Sequence, residues 1–258
     1  MIAIPSRDEL KKLRKTLGLD DVASTFGVSR SKVDKWCKIY NLRHSECKND
    51  LATNMPKNLT DEQSDMIYGC LLGDAGISDG LFEMKQSLEK EEFLLTIKQI
   101  LGPLFSKLDY GTTKKPTRIN GKISHRPSDW SGGLSDWCRL RSRKNDIFRN
   151  MRQLFYPNKS KIVPTQLILN WRMIGYWYCC DGTRNGSRAY FCTDSFSSAD
   201  VYLLVSKLQS IGLECSINSR NRIMVSSKQF EFFQENIHHY VNWKCFAHKL
   251  RATEQGSI

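Results

Sequence analysis

The sequence lacks any run of about 18 uncharged apolar residues, the length that a membrane-spanning helix requires. Its N-terminus has no basic region followed by an apolar stretch, and the acidic Asp8 and Glu9 disfavour an organelle transit peptide. Its nine cysteines are odd in number and lack the spacing of a disulfide scaffold. We therefore expect no membrane partner and an intracellular, reducing compartment: the cytoplasm of a bacterial or phage-infected cell, or an organelle matrix.

A structural zinc site is not expected either. Cys37, His44 and Cys47 come nearest to a zinc pattern, but a fourth ligand is missing at the usual spacing. The adjacent Cys179 and Cys180 fit better as small residues in helix packing than as metal ligands.

Negative charge is scarce and unevenly placed. The net charge is +12, yet residues 51–102 have a balance of −5, whereas residues 103–165 have +10 and contain no glutamate. Such a surplus of positive charge favours polyanions, either nucleic acid or an acidic membrane. An acidic segment beside a strongly basic one predicts an acidic site set into a basic surface.

Residues 1–42 contain three short helical patterns. Their apolar spacing predicts helices at about residues 7–16, 20–26 and 30–40. Gly27 supplies the turn before the third helix, and Ser29 is a suitable N-cap for it. Residues 43–58 are polar and aperiodic, which predicts a linker.

The stretch DDVASTFGVSRSKVDKWCKIYNL resembles a helix-turn-helix motif. The resemblance implies a DNA-binding module over residues 1–42. The third helix would present Arg30, Lys32 and Lys35 to DNA. The alternative interpretation is a small helical bundle that binds protein or merely caps the fold.

The rest of the chain contains two divergent copies of one unit, at residues 59–163 and 164–258. In each copy a helix ends in a small residue and an aspartate, and two strands, a long amphipathic helix, two more strands and a last helix follow. The predicted order of elements in both copies is therefore αββαββα, an α+β architecture with antiparallel sheets. The pattern places the second strand pair of the first copy within residues 117–143.

The segments IYGCLLGDA (67–75) and IGYWYCCDG (174–182) resemble the two copies of the motif that names the LAGLIDADG homing endonucleases. The flanking FYPNKSKIVP, CTDSFSSADVYLLVSKLQSIGL and CFAHKL are also similar to that family, so the resemblance covers about residues 59–253. It implies a single-chain, two-motif, intron-encoded enzyme. The two repeats would be related by a pseudo-twofold axis and would form a saddle that binds DNA.

Small residues in both motif helices predict a close helix crossing, because residues four apart share a helix face and let two backbones approach. The pairs with this spacing are Gly69 with Gly73 and Gly175 with Cys179. The crossing would bring Asp74 and Asp181 side by side at the helix ends.

Two carboxylates a few Å apart repel each other, and a divalent cation removes that repulsion. Hard oxygen ligands select Mg²⁺, with Mn²⁺ as a substitute. Such ions activate water and stabilise the charge of a phosphodiester under attack. Asp74 and Asp181 are therefore candidate catalytic and metal-ligating residues, although each one alone also fits an ordinary helix-ending turn.

The resemblance implies further site residues. It implies that the backbone carbonyls of Gly73 and Cys180 complete the metal coordination. It also implies that Lys161 and Lys249 lie near the scissile phosphates. Lys159 competes for the first lysine role, and both lysines also fit plain surface positions. Weaker polar candidates are Gln86 and Thr193.

The sequence departs from the family pattern in two places. Ala75 stands where the motif usually has glycine, although Gly76 follows. Cys179 and Cys180 precede the second aspartate, where an acidic residue is common. Because both aspartates are present, we expect both DNA strands to be cut, while the balance between the two cuts stays open.

The DNA surface would be the two sheets, lying as β-ribbons in the major groove with alternate side chains toward the bases. The candidates in the first copy are Lys85, Arg118, Lys122, Arg126, Arg139, Arg141 and Arg143. Those in the second copy are Arg184, Arg188, Asn218, Arg220 and Arg222. The alternative is a pair of solvated charged hairpins.

Three functions are compatible with these features. The first is a monomeric, metal-dependent homing endonuclease that cuts both strands of a long asymmetric double-stranded DNA site and leaves short 3′ overhangs. The second is a maturase, with intron RNA as its partner. The third is a transcription regulator that binds DNA without cutting, which the two metal-ligating aspartates disfavour.

Overall fold

The computed structural model describes residues 4–42, 55–114, 118–119, 122–123 and 134–250. The chain divides into two compact units, residues 1–57 with 103–107 and residues 58–102 with 108–258. Most of the predicted linker, residues 43–54, lies outside the described residues.

The N-terminal unit contains three helices, α1 (Arg7–Thr16), α2 (Leu19–Thr25) and α3 (Arg30–Ile39). Gly27 has a φ of 61°, a left-handed conformation that favours glycine, and it lies in the turn between α2 and α3. Ser29 precedes α3, but its hydroxyl lies 3.0 Å from the Ser31 hydroxyl and makes no side-chain cap. The core of this unit is apolar and includes Leu10, Val22, Val33 and Trp36.

The larger unit carries both repeats, apart from residues 103–107 of the first. The first contains α4 (Asp61–Leu72), β1 (Ala75–Ser78), β2 (Leu81–Ser87), α5 (Glu91–Leu101), β3 (Phe105–Lys114), β4 (Arg118–Ile119), β5 (Lys122–Ile123), β6 (Leu134–Ser142) and α6 (Asp146–Phe155). The second contains α7 (Trp171–Asp181), β7 (Gly182–Asn185), β8 (Arg188–Phe191), α8 (Ser198–Ser210), β9 (Cys215–Ile217), β10 (Ile223–Val225) and α9 (Phe230–Ile237).

The two repeats have the same sheet topology. The first sheet has the strand order β1-β2-β6-β3 and the second has the order β7-β8-β10-β9. In the first sheet, β2 pairs antiparallel with β1 and with β6. In the second sheet, β8 pairs antiparallel with β7 and with β10. The predicted duplication, αββαββα order and α+β class are confirmed.

One element differs from the sequence-based expectation. The second strand pair of the first sheet starts at Phe105, not near residue 117, and it consists of β3 and β6. The helix before it ends at Leu101 because Gly102 adopts a φ of 52° and Pro103 follows. The short β4 and β5 form a separate two-stranded ribbon.

Helix caps fix where the two motif helices begin. Thr60 and Gln63 exchange the two hydrogen bonds of a capping box ahead of α4, each 3.1 Å long. Asn170 accepts from the Met173 N–H at 2.9 Å at the start of α7. Both helices are therefore capped by side chains at their N-termini, and α4 and α7 pack directly on each other.

Aromatic side chains dominate the core around these helices. Phe93 of α5 packs edge-on against Phe246 with ring centroids 5.1 Å apart, and Trp177 of α7 lies 4.1 Å from Phe191. The eight cysteines that the structure describes are free thiols. In the described part of the chain, no helix combines the length and the apolarity needed to cross a membrane.

Candidate active site

Two glycines let the motif helices touch. A Cβ added to Gly69 would lie 2.3 Å from the Met173 carbonyl oxygen and 2.8 Å from the Tyr176 Cβ. A Cβ added to Gly73 would lie 2.4 Å from the Cys180 Cβ. Since real Cβ atoms do not approach that closely, glycine is required at both positions, and the predicted close crossing of the first helix is confirmed.

The contact face of the second helix was wrongly predicted. Gly175 faces Tyr240, whose Cβ is 2.6 Å from a Cβ built on that glycine, and the Cys179 thiol lies 3.8 Å from the Tyr240 carbonyl oxygen. The side of α7 that meets Gly69 and Gly73 of α4 carries Met173, Tyr176 and Cys180. Successive helix residues are about 100° apart, so Gly175 and Cys179 lie on a different side of α7 from the residues that face α4. They face Tyr240, in the C-terminal segment of their own repeat.

The two aspartates come together at the C-terminal ends of α4 and α7. Asp74 is exposed and Asp181 is partly exposed, and the Asp181 carboxyl carbon would lie only 3.5 Å from a Cβ built on Gly73, the residue directly before Asp74. Burial, followed by the charge of Asp74, raises the pKa of Asp181 to about 6. The pair thus carries a repulsion between two carboxylates that the protein alone does not relieve.

Each repeat supplies one lysine to the end of its own motif helix. The Lys161 ammonium donates to the carbonyl oxygens of Gly73 at 2.8 Å and Ala75 at 3.1 Å. Burial lowers its pKa, and the charge of Asp181 opposes that shift. Lys159 is an exposed residue with a φ of 66°, so Lys161 is the lysine that enters the site.

Lys249 lies deeper than the sequence indicated. Its ammonium is buried and donates to the carbonyl oxygens of Tyr178 at 2.9 Å and Cys179 at 2.7 Å. Burial lowers its pKa. These contacts hold the last turn of α7, directly before Asp181, and therefore fix the position of that aspartate.

The Gln86 side chain contacts the first aspartate. The Gln86 side-chain amide donates to Asp74 Oδ2 at 2.6 Å, and the Lys90 ammonium donates to Gln86 Oε1 at 2.9 Å. Thr193, the corresponding candidate in the second repeat, donates instead to the Asn221 carbonyl oxygen at 2.5 Å. Lys90 was missed because its role depends on Gln86, and no local pattern marks such a pair.

The residues at this site fit a divalent cation. Asp74 and Asp181 offer hard oxygen ligands, and their mutual repulsion is what a cation relieves. Within the described ranges, no third His, Cys, Asp or Glu side chain joins them. The carbonyls of Gly73 and Cys180, water and phosphate oxygens could fill the other positions, but one lone pair of Gly73 already accepts from Lys161.

A sequence profile of the LAGLIDADG DNA endonuclease family matches residues 64–245. The chain belongs to the LAGLIDADG DNA endonuclease family. A DNA-cleaving hydrolase is therefore the class of this enzyme.

Proteins similar to this LAGLIDADG endonuclease include an uncharacterized protein and a homing endonuclease of known structure. An uncharacterized protein of Methanocaldococcus jannaschii is 23% identical over 185 residues, which is 68% of each chain. The structure of the homing endonuclease I-WcaI bound to its DNA recognition sequence matches with a TM-score of 0.68 and 19% identity, over 81% of this chain and 94% of that chain. The structural likeness confirms the fold.

Charged residues of both signs cover the outer face of the first sheet of the endonuclease. Arg141 lies 2.7 Å from Glu83 and 3.8 Å from Asp109, and Arg139 lies 3.4 Å from Asp109. Arg139 and Arg141 share a strand face, because alternate residues of a strand point to the same side. The two acidic partners were not predicted, because the charge pattern along one strand does not show its cross-strand neighbours.

Trp137 lies on the same face and was also not predicted from the sequence. Its ring lies across Gly111, since a Cβ built there would be 2.4 Å from the indole. The Lys85 ammonium is 4.3 Å and the Arg139 guanidinium 5.4 Å from the ring centroid. Two predicted DNA-contacting cations are thus held by one aromatic ring.

The second sheet of the endonuclease gives its candidates different environments. Arg222 is paired with Asp194, with Nε 2.8 Å from Oδ2. The Asn218 side chain accepts from the backbone N–H groups of Arg220 at 2.9 Å and Arg222 at 3.1 Å, so it shapes the β9–β10 turn. Arg188 and Arg220 are exposed, and Arg184 is partly exposed.

Some candidates lie where less is described. Arg126 is outside the described residues, and only the backbone is described for Arg118 in β4 and Lys122 in β5. Arg143 follows the end of β6 and is partly exposed.

The three basic candidates of the N-terminal unit lie on α3. The Arg30 guanidinium lies 3.3 Å from Asp20, and the Lys32 ammonium is 6.0 Å from the Trp36 ring. Lys35 is exposed.

Proposed function

We propose that the chain is a site-specific homing endonuclease that uses Mg²⁺ or Mn²⁺ to hydrolyse both strands of a long asymmetric DNA site. Short 3′ overhangs are the expected product, and the active form is a monomer because one chain carries both motif helices. The observation that carries the proposal is the close approach of Asp181 to the Gly73–Asp74 end of α4, at the solvent-accessible ends of α4 and α7.

Each residue of the site has a separate task. Asp74 and Asp181 would hold the cations, which would supply activated water and charge stabilisation. Lys161 bridges the carbonyls on both sides of Asp74 and keeps a positive charge close to Asp181. Lys249 positions Asp181 by holding the last turn of α7. Gln86 orients the Asp74 carboxylate through its amide N–H.

The two sheets are the proposed DNA-reading surfaces. Cations held in fixed positions, such as Arg139 and Arg141, suit the bidentate recognition of guanine in the major groove. The structural relative I-WcaI has been solved with its DNA recognition sequence, which supports a DNA duplex as the partner. We further propose that the N-terminal unit is a helix-turn-helix module that lengthens the recognised site.

The test selects the target site from random DNA. The purified protein is incubated with a randomised duplex library and Mg²⁺, and the sequences of the cut ends give both the site and the overhang. A plasmid with that site should then be linearised, and EDTA should abolish the reaction.

Asp74→Asn and Asp181→Asn should each lower the rate by about a hundredfold or more. Asp79→Asn is the matched control, since it removes an exposed carboxylate from the turn between β1 and β2 and should cut normally. Full cleavage by the Asp74→Asn, Asp181→Asn double variant would remove the catalytic assignment.

A further inference from the structure

A chain of two hydrogen bonds leads from Lys90 to the first aspartate. Lys90 lies directly before α5, and its ammonium donates to Gln86 Oε1 at 2.9 Å. The Gln86 amide nitrogen donates to Asp74 Oδ2 at 2.6 Å. Gln86 is 6% exposed, so water has little access to compete for either bond.

The chemistry of the two end groups fixes the orientation of the amide between them. An ammonium can only donate hydrogen bonds, and an ionised carboxylate can only accept them. Gln86 must therefore turn its oxygen toward Lys90 and its nitrogen toward Asp74. Without the ammonium, a flipped amide would present its oxygen to Asp74, or the side chain would leave the carboxylate.

Lys90 is itself held in place. Its ammonium lies 5.5 Å from the centroid of the buried Phe246 ring, and the Lys249 ammonium lies 5.0 Å from the same ring. The ring attracts both cations through its π face. Lys90 is thus a half-buried lysine whose ammonium contacts both Gln86 and the Phe246 ring.

The second repeat has no copy of this chain at the corresponding positions. Thr193 follows Asp181 at the same distance along the sequence as Gln86 follows Asp74, and it donates to Asn221. Ser197 corresponds to Lys90, and its hydroxyl accepts from the Asp200 N–H at 3.1 Å to cap α8. The two halves of the active site are therefore chemically unequal.

We propose that Lys90 is a positioning residue that orients Gln86 toward Asp74, and that it supports one of the two strand cuts more than the other. The proposal rests on the nuclease function proposed above. If the proposal is right, substitution of Lys90 changes the ratio between the nicking rates of the two DNA strands. A general structural role for Lys90 would lower both rates together.

The first test uses the protein without metal or DNA. In the nitrogen–proton NMR spectrum, the Gln86 side-chain amide is assigned as the signal pair that disappears in Gln86→Ala. Lys90→Met should move this pair toward the shifts of exposed glutamines, and Lys90→Arg should keep most of the original shift. Lys228→Met is the matched control, because it removes an exposed lysine from the turn before α9. An unmoved Gln86 signal in Lys90→Met would overturn the positioning role.

The second test measures nicking of each strand with separately end-labelled duplexes carrying the selected site. Lys90→Met should change the ratio of the two rates by about three- to tenfold, as expected for the loss of one intramolecular hydrogen bond of average strength. Lys90→Arg should restore the ratio, and Lys228→Met should not alter it. In a Gln86→Ala background, Lys90→Met should have no further effect.

The outcomes separate this proposal from the nuclease function. If the wild-type protein cuts no DNA, the function proposal fails, and the NMR arm still decides whether Lys90 orients Gln86. If the wild-type protein cuts but Lys90→Met slows both strands equally, the strand-specific role is overturned. The same holds if Lys90→Met still changes the ratio in the absence of the Gln86 amide.

Discussion

Asp181 is a carboxyl group whose environment favours the protonated form. Its pKa of about 6 exceeds the value of about 3.9 expected in an unfolded chain, because burial and the charge of Asp74 both disfavour ionisation. Folding therefore loses stability as the pH rises from about 4 to 6, and the loss persists at higher pH. The ionised Asp181 of the proposed cation site therefore lowers the stability of the metal-free protein.

We therefore predict that Asp181→Asn raises the thermal stability of the protein in EDTA. The gain should be about 2 kcal/mol above pH 6.5 and should vanish near pH 4, where the wild-type carboxyl is protonated. Thermal unfolding of both proteins from pH 4 to 8 measures it. Mg²⁺ should narrow the gap by stabilising only the wild type, and equal midpoints in EDTA at pH 7.5 would contradict the prediction.

Some residues of the site and its surroundings could be predicted from the sequence, and others could not, for a physical reason. Asp74 and Asp181 could be predicted because the duplication marks them as equivalent. Lys90 and Trp137 could not, because their roles come from neighbours across the fold: Gln86 and Phe246 for the lysine, and Gly111 for the tryptophan.

The crossing of α4 and α7 is the element on which the site depends. Gly73 leaves no space for a side chain, since an added Cβ would be 2.4 Å from the Cys180 Cβ. Any separation of the helices at this point also separates the two aspartates that follow. Helix packing and the proposed catalysis are therefore coupled at one residue.

Gly73→Ala should lower stability by about 2 kcal/mol, with a further loss of most cleavage activity. Gly76→Ala in β1 is the matched control, because its added Cβ would meet only the Tyr156 hydroxyl at an ordinary 3.6 Å. Urea unfolding and plasmid linearisation measure the two effects. Normal activity in Gly73→Ala would show that the helix contact does not set the aspartate geometry.

On the first sheet, acidic and basic side chains alternate across the strands. Glu83 and Asp109 reduce the positive charge of this face and hold Arg139 and Arg141 in defined positions. Such carboxylates oppose binding to phosphates in general, but they favour the reading of particular bases through fixed guanidinium groups.

We predict that Glu83→Gln increases affinity for scrambled DNA while reducing discrimination in favour of the selected site, by about threefold to tenfold. Fluorescence anisotropy with both duplexes at several salt concentrations gives the ratio. Glu89→Gln removes the same charge at an exposed position outside β2 and should leave discrimination unchanged. A parallel rise in affinity for both duplexes would mean that Glu83 acts only through net charge.

The sequence also revealed most of the elements, but not how they face one another. Apolar periodicity predicted the helices and the αββαββα order in both repeats. It missed the start of β3, where a polar segment becomes a strand only by pairing with β6. It also misjudged Gly175, because a small residue indicates a close contact without naming the partner.

At the scale of the whole molecule, the N-terminal unit and the repeats are separate compact units with different proposed tasks. The repeats hold the acidic site and two basic sheets. The N-terminal unit offers a short basic helix, α3, which carries no residue of the active site.

Lys32→Gln with Lys35→Gln should therefore shorten the protected DNA footprint without moving the cut. The slope of the logarithm of the binding constant against the logarithm of the salt concentration should become shallower by roughly two, about 0.9 for each lost phosphate contact. Footprinting and end sequencing measure the two properties. A shifted cut position would contradict the proposed division of tasks.

The separation of the two motif helices along the chain has a consequence for synthesis. A ribosome that has released only the first repeat has made Asp74 but not the helix that carries Asp181. Truncated, frameshifted or proteolysed products that lack the second half therefore lack the carboxylate pair on which the proposed cleavage depends. The proposed nuclease site is complete only after most of the polypeptide has been translated.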